Sequence, residues 1–340
     1  VKVSINYRRV EGPWGGGNRV VAAIEGALQA RGDRVVQHLD DPDIDIVLIV
    51  DPRRRNPQIT YTPGQALGYV ERVNPRCAVV HRINECDERK GTRTMNLRLR
   101  TANYCADHTV FVASWLKDLD VWRRETEASV ILGGGDDTIF KRDTARIWDG
   151  VAPFRLVTHH WGNHPNKGLD VYTVLDAMLG TAPWRGRVQF AHIGNKPKGA
   201  ALANIDWLPP QDGPPLAAAV ADHHAYLTAS ISEPSGNHHI EGALTGMPIL
   251  YRRSGGLPEY CAPYGIGFDG PGDFPQALDA FMKAYPVLKP KLADYPHSST
   301  RMAAQFLELF DRLALQAPQI AARRRPWRDP LARLANMVAF

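Results

Sequence analysis

The stretch AYLTASISEPSGNHHIEGALTGMPIL, Ala225 to Leu250, reads as strand, loop, helix and strand in succession. AYLTASIS has strand character, Pro234 ends it, and Gly236 allows a sharp turn. A helix is predicted from near Asn237 or His238, and PILYR follows as the next strand. Parallel sheets are built from such units, and ligands sit beyond the carboxyl ends of their strands. The stretch also sets two acids around its turn: Glu233 in the loop and Glu241 in the first helical turn. A helix N-terminus favours anionic side chains and anionic ligands alike. Taken alone, a surface-loop glutamate and an early-helix acid explain the pair without any function.

Outward from this stretch the same alternation recurs. FRLVTHH and VQFAHIG are further strands of the second half, with the helical patterns GLDVYTVLDAML and PPLAAAVADHH between them. The first half offers VKVSINY, RVVQHLD, DIDIVLIVD, CAVVHRIN, HTVFVAS and ASVILGG as strands, with helices in NRVVAAIEGALQARG and TPGQALGYVERVNP. Two blocks of this kind predict an α/β protein with two open parallel sheets facing each other across a cleft. The expected domains are residues 1–150 and 151–318, joined through GGGDDTIFKRDTARIWDGVAP. Two long helical patterns, near 273–287 and 296–315, precede a basic tail at 319–340.

Composition agrees with two domains. A chain of 340 residues exceeds one ordinary core, and 44% hydrophobic with 23% charged residues is a globular balance. No apolar run reaches the ~18–20 residues that span a bilayer, and VKVSINYRRV lacks the apolar block of a secretory signal. The four cysteines have no paired spacing, so free thiols in a reducing cytoplasm are expected. The net charge of +5 is concentrated in the tail, where five arginines stand against one aspartate. The remaining 36 Lys and Arg nearly balance 35 Asp and Glu, which argues against a nucleic-acid surface.

Two more loops suit anion chemistry. EGPWGGGNRVV sets Gly15, Gly16 and Gly17 before a helix, where backbone amides can approach phosphate. VTHHWGNHPNKGLDVY crowds His159, His160, Trp161 and Asn163 at a strand end and places Lys167 at a helix start. A lysine there meets phosphate as a point charge. Three histidines without an acid or cysteine at ligand spacing do not predict a metal site. DDPDID has D-x-D spacing at Asp41, Asp43 and Asp45 but precedes its strand, so a solvated turn is expected.

In their order these segments resemble the two-domain GT-B glycosyltransferases of group 1 (family 4-like). The resemblance rests on NKG at 166–168, FAHIGN at 190–195, and Glu233 and Glu241 with seven residues between. It continues through GMPIL at 246–250 and SGGLPEY at 254–260. The first half matches more loosely, through WGGGN, Ser114 and VILGGGDDTIF. The resemblance implies two Rossmann-like domains, the first on the acceptor side and the second on the donor side. It implies a retaining enzyme that uses a nucleotide-sugar donor, with neither metal nor cofactor. Glu241 would hold the donor ribose, and Glu233 the hydroxyls of the transferred sugar. Lys167 would neutralise the diphosphate, helped by amides at Gly236, Asn237 and His238 and by the loop at Gly16 and Gly17.

The chain departs from that family at two places. An arginine five or six residues before the lysine is replaced by Gly162 or Trp161, which leaves His160, Asn163 or Arg82 as substitutes. A histidine after the fourth strand is replaced by Asn84, with His81 three before it. Asparagine can hydrogen-bond sugar or phosphate but cannot act as a base. His81 and Arg82 are expected on the acceptor side, toward a glycan, a lipid-linked or a small-molecule acceptor. The alternatives are a sugar-nucleotide-binding protein without turnover and another GT-B enzyme, such as a sugar-nucleotide epimerase. In the tail, Leu331, Leu334 and Val338 share one helical face behind a run of arginines. That face either packs on the first domain or meets anionic lipid at the inner surface of a membrane.

Overall fold

The structure is a computed structural model that describes residues 1–10, 16–197, 199–325 and 327–338. Its contacts divide the chain into two compact units, Val1–Leu132 with Thr300–Phe340, and Gly133–Ser299.

The first unit is built on six parallel strands: β1 (Lys2–Ile5), β2 (Arg34–Val36), β3 (Ile46–Ile49), β4 (Ala78–Ile83), β5 (His108–Phe111) and β6 (Glu127–Val130). They lie in the order β2-β1-β3-β4-β5-β6. Every residue of β1, β3, β4 and β5 is buried, as expected of apolar runs covered on both faces. Helix Pro63–Arg72 starts at a capping box: Thr62 Oγ1 accepts from the Gln65 amide, and Gln65 Oε1 accepts from the Thr62 amide. The acids before β3 form a surface turn, in which Asp41 and Asp43 each pair with Lys2 at 2.5 Å.

The second unit holds β7 (Phe154–His160), β8 (Val188–Gly194), β9 (Asp206–Leu208), β10 (Ala225–Thr228), β11 (Ile249–Arg252) and β12 (Gly265–Phe268), also parallel. Read from the β9 edge, the order is β9-β8-β7-β10-β11-β12. The connections reverse direction between β7 and β10, so the carboxyl ends of these two strands flank a natural ligand crevice. The edge strands β9 and β12 were not expected from the sequence. β9 has three residues, and two glycines interrupt the apolar pattern of GIGF in β12.

The expected boundaries at 150 and 318 shift to 132 and 299, for reasons visible in the packing. Gly133 N donates to Tyr260 Oη at 2.7 Å, and Gly135 exchanges backbone hydrogen bonds with His297 and Ser299. These contacts bind residues 133–135 to the second unit. Helix Ser299–Leu315 instead sends Met302, Phe306, Leu309, Phe310 and Leu313 into the core around Val3, Ile5 and Ile24.

The tail also lies on the first unit: Arg324 pairs with Asp107, and Arg333 with Glu71. Its helix, Pro330–Val338, is turned opposite to the packing that its leucines suggest. Arg333 and Asn336 are buried, while Leu331, Leu334 and Val338 are exposed. All four cysteines are buried and free. Among the described residues no helix is long and apolar enough to cross a membrane.

Candidate functional site

The second unit gathers its chemistry at the carboxyl ends of β7 and β10. The chain leaving β10 runs through Ala229 to Gly236 before helix Asn237–Leu244. Its course is fixed from two sides. On one side, Ile231 N donates to Asn166 O at 2.8 Å. Gly168, at φ +106°, lets the Lys167 turn close onto the loop, since a Cβ there would lie 2.6 Å from Ala229 Cβ. On the other side, the SGG segment clasps the backbone of the acid. Gly256 N donates to Glu233 O at 2.8 Å, and Ser232 N donates to Ser254 Oγ at 2.8 Å. Gly255 sits at φ +63°, where a Cβ would fall 2.5 Å from Glu233 O.

Held in this way, Glu233 meets Lys167, with Nζ 2.5 Å from Oε2. The carboxylate side chain is 3% exposed and the lysine 15%, so the cation is the more accessible partner. Beside them begins helix Asn237–Leu244, whose start carries no side-chain cap. The first amides of a helix lack partners within it, so this terminus offers N–H groups and a positive dipole end.

Glu241, one turn inside the helix, is buried, and its Oε2 lies 2.8 Å from His159 Nε2. His159 Nδ1 lies 3.0 Å from Tyr226 Oη, which also accepts from the His159 amide at 2.9 Å. A carboxylate only accepts, so Nε2 carries a proton and donates to Glu241 Oε2. The ring thus fixes one oxygen of Glu241.

The remaining histidines pack inward. His160 Nε2 bonds Tyr172 Oη at 3.0 Å and Thr158 Oγ1 at 3.2 Å, and its ring meets that of His238 at 4.4 Å. His238 Nε2 bonds Thr228 Oγ1 at 2.9 Å. Burial pushes both rings well below the ordinary histidine range, and His239 down to about 3. His160, named as a stand-in for the missing arginine, is buried and bonded to Tyr172 and Thr158, with its ring against His238. Asn163 is exposed in the loop before Lys167.

In the first unit, His81 lies within β4 with no exposed surface. Its Nδ1 is 3.2 Å from Asn103 Nδ2, and burial lowers its pKa to about 4. That ring holds the sheet together and has no surface to offer an acceptor. Arg82 is buried beside it, and Asn84 is half-buried just beyond the carboxyl end of β4. Gly16 and Gly17 open helix Gly16–Arg31, whereas Trp14 and Gly15 fall outside the described residues.

Sequence reasoning grouped His159 with its neighbour and missed its partnership with Glu241 and Tyr226. Among the described residues no cluster of three His, Cys, Asp or Glu side chains is arranged to hold a metal ion.

Solved structures of the same architecture are glycosyltransferases. HepE from Anabaena, in complex with UDP, matches with a TM-score of 0.65 at 12% identity, over 92% of this chain and 99% of its own. A glycosyltransferase from Rickettsia africae gives 0.58 at 12% identity, over 92% and 98%. WaaG, a glycosyltransferase involved in lipopolysaccharide biosynthesis, gives 0.54 at 14% identity, over 94% and 99%. At these identities the likeness is one of fold, and the fold is that of the GT-B glycosyltransferases. No protein-family model matches the sequence, and no curated protein is similar to it.

Proposed function

We propose that this chain is a glycosyltransferase that moves a sugar from a nucleoside-diphosphate donor to an acceptor, with retention at the anomeric carbon and without a metal ion. The observation that carries the proposal is the Lys167–Glu233 pair beside the uncapped start of helix Asn237–Leu244. Breaking the bond between sugar and diphosphate builds negative charge on the leaving group and positive charge on the ring. Fixed donors aimed at the diphosphate lower that barrier. Lys167 and the amides of Asn237 and His238 are those donors. Donor binding exchanges one ion pair for another: the diphosphate takes the ammonium, and the oxygens of Glu233 accept sugar hydroxyls. Glu241, steadied by His159, takes the ribose hydroxyls. In the first unit, Asn84 hydrogen-bonds substrate hydroxyls at the end of β4. Uridine is the base we propose, because HepE of the same fold was solved with UDP and with UDP-glucose.

Calorimetry with UDP, GDP, ADP and dTDP, followed by transfer assays with labelled UDP-sugars in the presence of chelator, tests this reading. Tight UDP binding with chelator-resistant turnover supports it. Turnover unchanged in Lys167→Ala, Glu233→Ala and Glu241→Ala would remove the site. Donor binding without any turnover would favour a binding protein. The anomeric configuration of the product, read by NMR, tests retention.

A further inference from the structure

The C-terminal helix Pro330–Val338 is amphipathic in the reverse of the usual sense. Its inward face is polar: Arg333 makes a two-point pair with Glu71, Nη2 to Oε2 at 2.7 Å, and Asn336 Nδ2 donates to Thr101 O at 2.8 Å. Its outward face is apolar, with Leu331, Leu334, Met337 and Val338 exposed by 81, 52, 59 and 80%. At about 100° per residue these four side chains fall within an arc of roughly 120°. Trp327, 65% exposed and stacked under Arg333 at 4.4 Å, extends the apolar surface. Leu97, also 65% exposed, stands on helix Met95–Ala102, whose Thr101 receives the Asn336 bond. Apolar side chains gathered in this way mark a surface built to be covered.

Arg325 and Arg328 precede this helix in the chain, and Arg328 donates from Nη2 to Tyr104 O at 3.0 Å while standing over the Tyr104 ring at 4.9 Å. Both are exposed, and among the described residues neither meets a carboxylate. They edge an open groove whose walls include Leu67, Val70 and Tyr104 together with Glu71 and Asp107. The chemistry is therefore an apolar face, an aromatic flank, and two exposed arginines beside a partly apolar groove.

We propose that this face docks on an anionic lipid surface. Leu331, Leu334, Met337 and Val338 lie at the acyl boundary, while Arg325 and Arg328 meet lipid phosphates. A second copy of the chain is a poorer occupant, because an isologous contact sets the same arginines of both copies against each other. The polar inward face serves the same end. By anchoring through Arg333 and Asn336, the helix keeps its side chains of highest membrane affinity free. The contact needs neither donor nor turnover, so its test is independent of the catalytic one.

Flotation of the full chain with vesicles of phosphatidylcholine, alone or mixed with phosphatidylglycerol, provides the test. The chain should float with the mixed vesicles and stay behind with the neutral ones. Leu331→Glu with Leu334→Glu, and separately Arg325→Glu with Arg328→Glu, should each weaken flotation roughly tenfold or more. These side chains are exposed, so circular dichroism and melting curves should match those of the parent. Absent flotation, equal flotation with both vesicle types, or binding unchanged in either double variant would overturn the proposal. A concentration-dependent dimer abolished by the leucine substitutions would also overturn it, by assigning the face to a second copy.

Discussion

Lys167 Nζ and Glu233 Oε2 meet at 2.5 Å across 66 positions of chain, one at the turn after β7 and the other in the loop after β10. The pair therefore bridges the point where the strand order of the second unit reverses. Removing one partner takes the ion pair from a carboxylate that is 3% exposed. Lys167→Met should lower stability by about 3 kcal/mol, and the double variant with Glu233→Gln should recover most of that loss. Sugar transfer should fall by roughly two to three orders of magnitude in both variants, because the leaving group loses its cation. Urea melts and transfer rates on the same preparations check both halves.

His159 acts through Glu241. His159→Phe removes the N–H that fixes Glu241 Oε2, and UDP affinity should fall about tenfold, or about 1.4 kcal/mol. His159→Gln keeps a donor at similar reach and should restore part of the loss. Calorimetry provides the affinities. Turnover at saturating donor should change less than affinity, since the ring is set to touch neither the sugar nor the diphosphate.

Gly168 combines a left-handed backbone with a position where an added Cβ would lie 2.6 Å from Ala229 Cβ. Gly168→Ala should cost about 1–3 kcal/mol in a denaturant melt. It should also weaken donor binding, because it pushes the Lys167 turn away from the loop that carries Glu233. Wild-type stability and affinity in this variant would show that the close approach is dispensable.

His192 is fully buried between Trp207 and His160, and among the described residues neither ring nitrogen has a hydrogen-bond partner. Burial lowers its pKa to about 4, against about 6.5 for an exposed ring. The unfolded chain therefore binds more protons than the native chain between these values. Stability from this ring is fully present above pH 6.5 and is lost as pH falls through 4, by on the order of 2–3 kcal/mol. His192→Phe keeps the ring stack without the titration. Melting temperatures from pH 7 to pH 4 should fall less steeply in the variant than in the parent.

The sequence carried the placement of the acids because each rests on local chemistry. Pro234 and Gly236 end a strand and turn the chain, and seven residues then carry Glu233 in the loop to Glu241 inside the helix. The SGGLPE motif was equally legible, since a glycine at φ +63° against the Glu233 backbone tolerates no side chain. The contact between His159 and Glu241 was not legible, because 82 positions separate the two and no local pattern links them. His81 and His160 read as site residues because they are polar and lie in the strands that lead to the loops, yet both are buried, His81 bonded at Nδ1 to Asn103 and His160 at Nε2 to Tyr172. The tail was open between packing on the first domain and meeting anionic lipid. Hydrophobic periodicity marked Leu331, Leu334 and Val338 as a packing face, but the two-point pair of Arg333 with Glu71 decided which side turned inward.

The return of helix Ser299–Leu315 to the first unit has a consequence for biosynthesis. A nascent chain released only as far as Leu132 lacks Met302, Phe306 and Phe310, so its amino-terminal sheet emerges with an unfilled core. The segment from Gly133 to Ser299 is continuous and leaves the ribosome complete. The half bearing Lys167, Glu233 and Glu241 can thus mature while the earlier-made half still waits for its last helix, and it is the half most amenable to production as an isolated fragment.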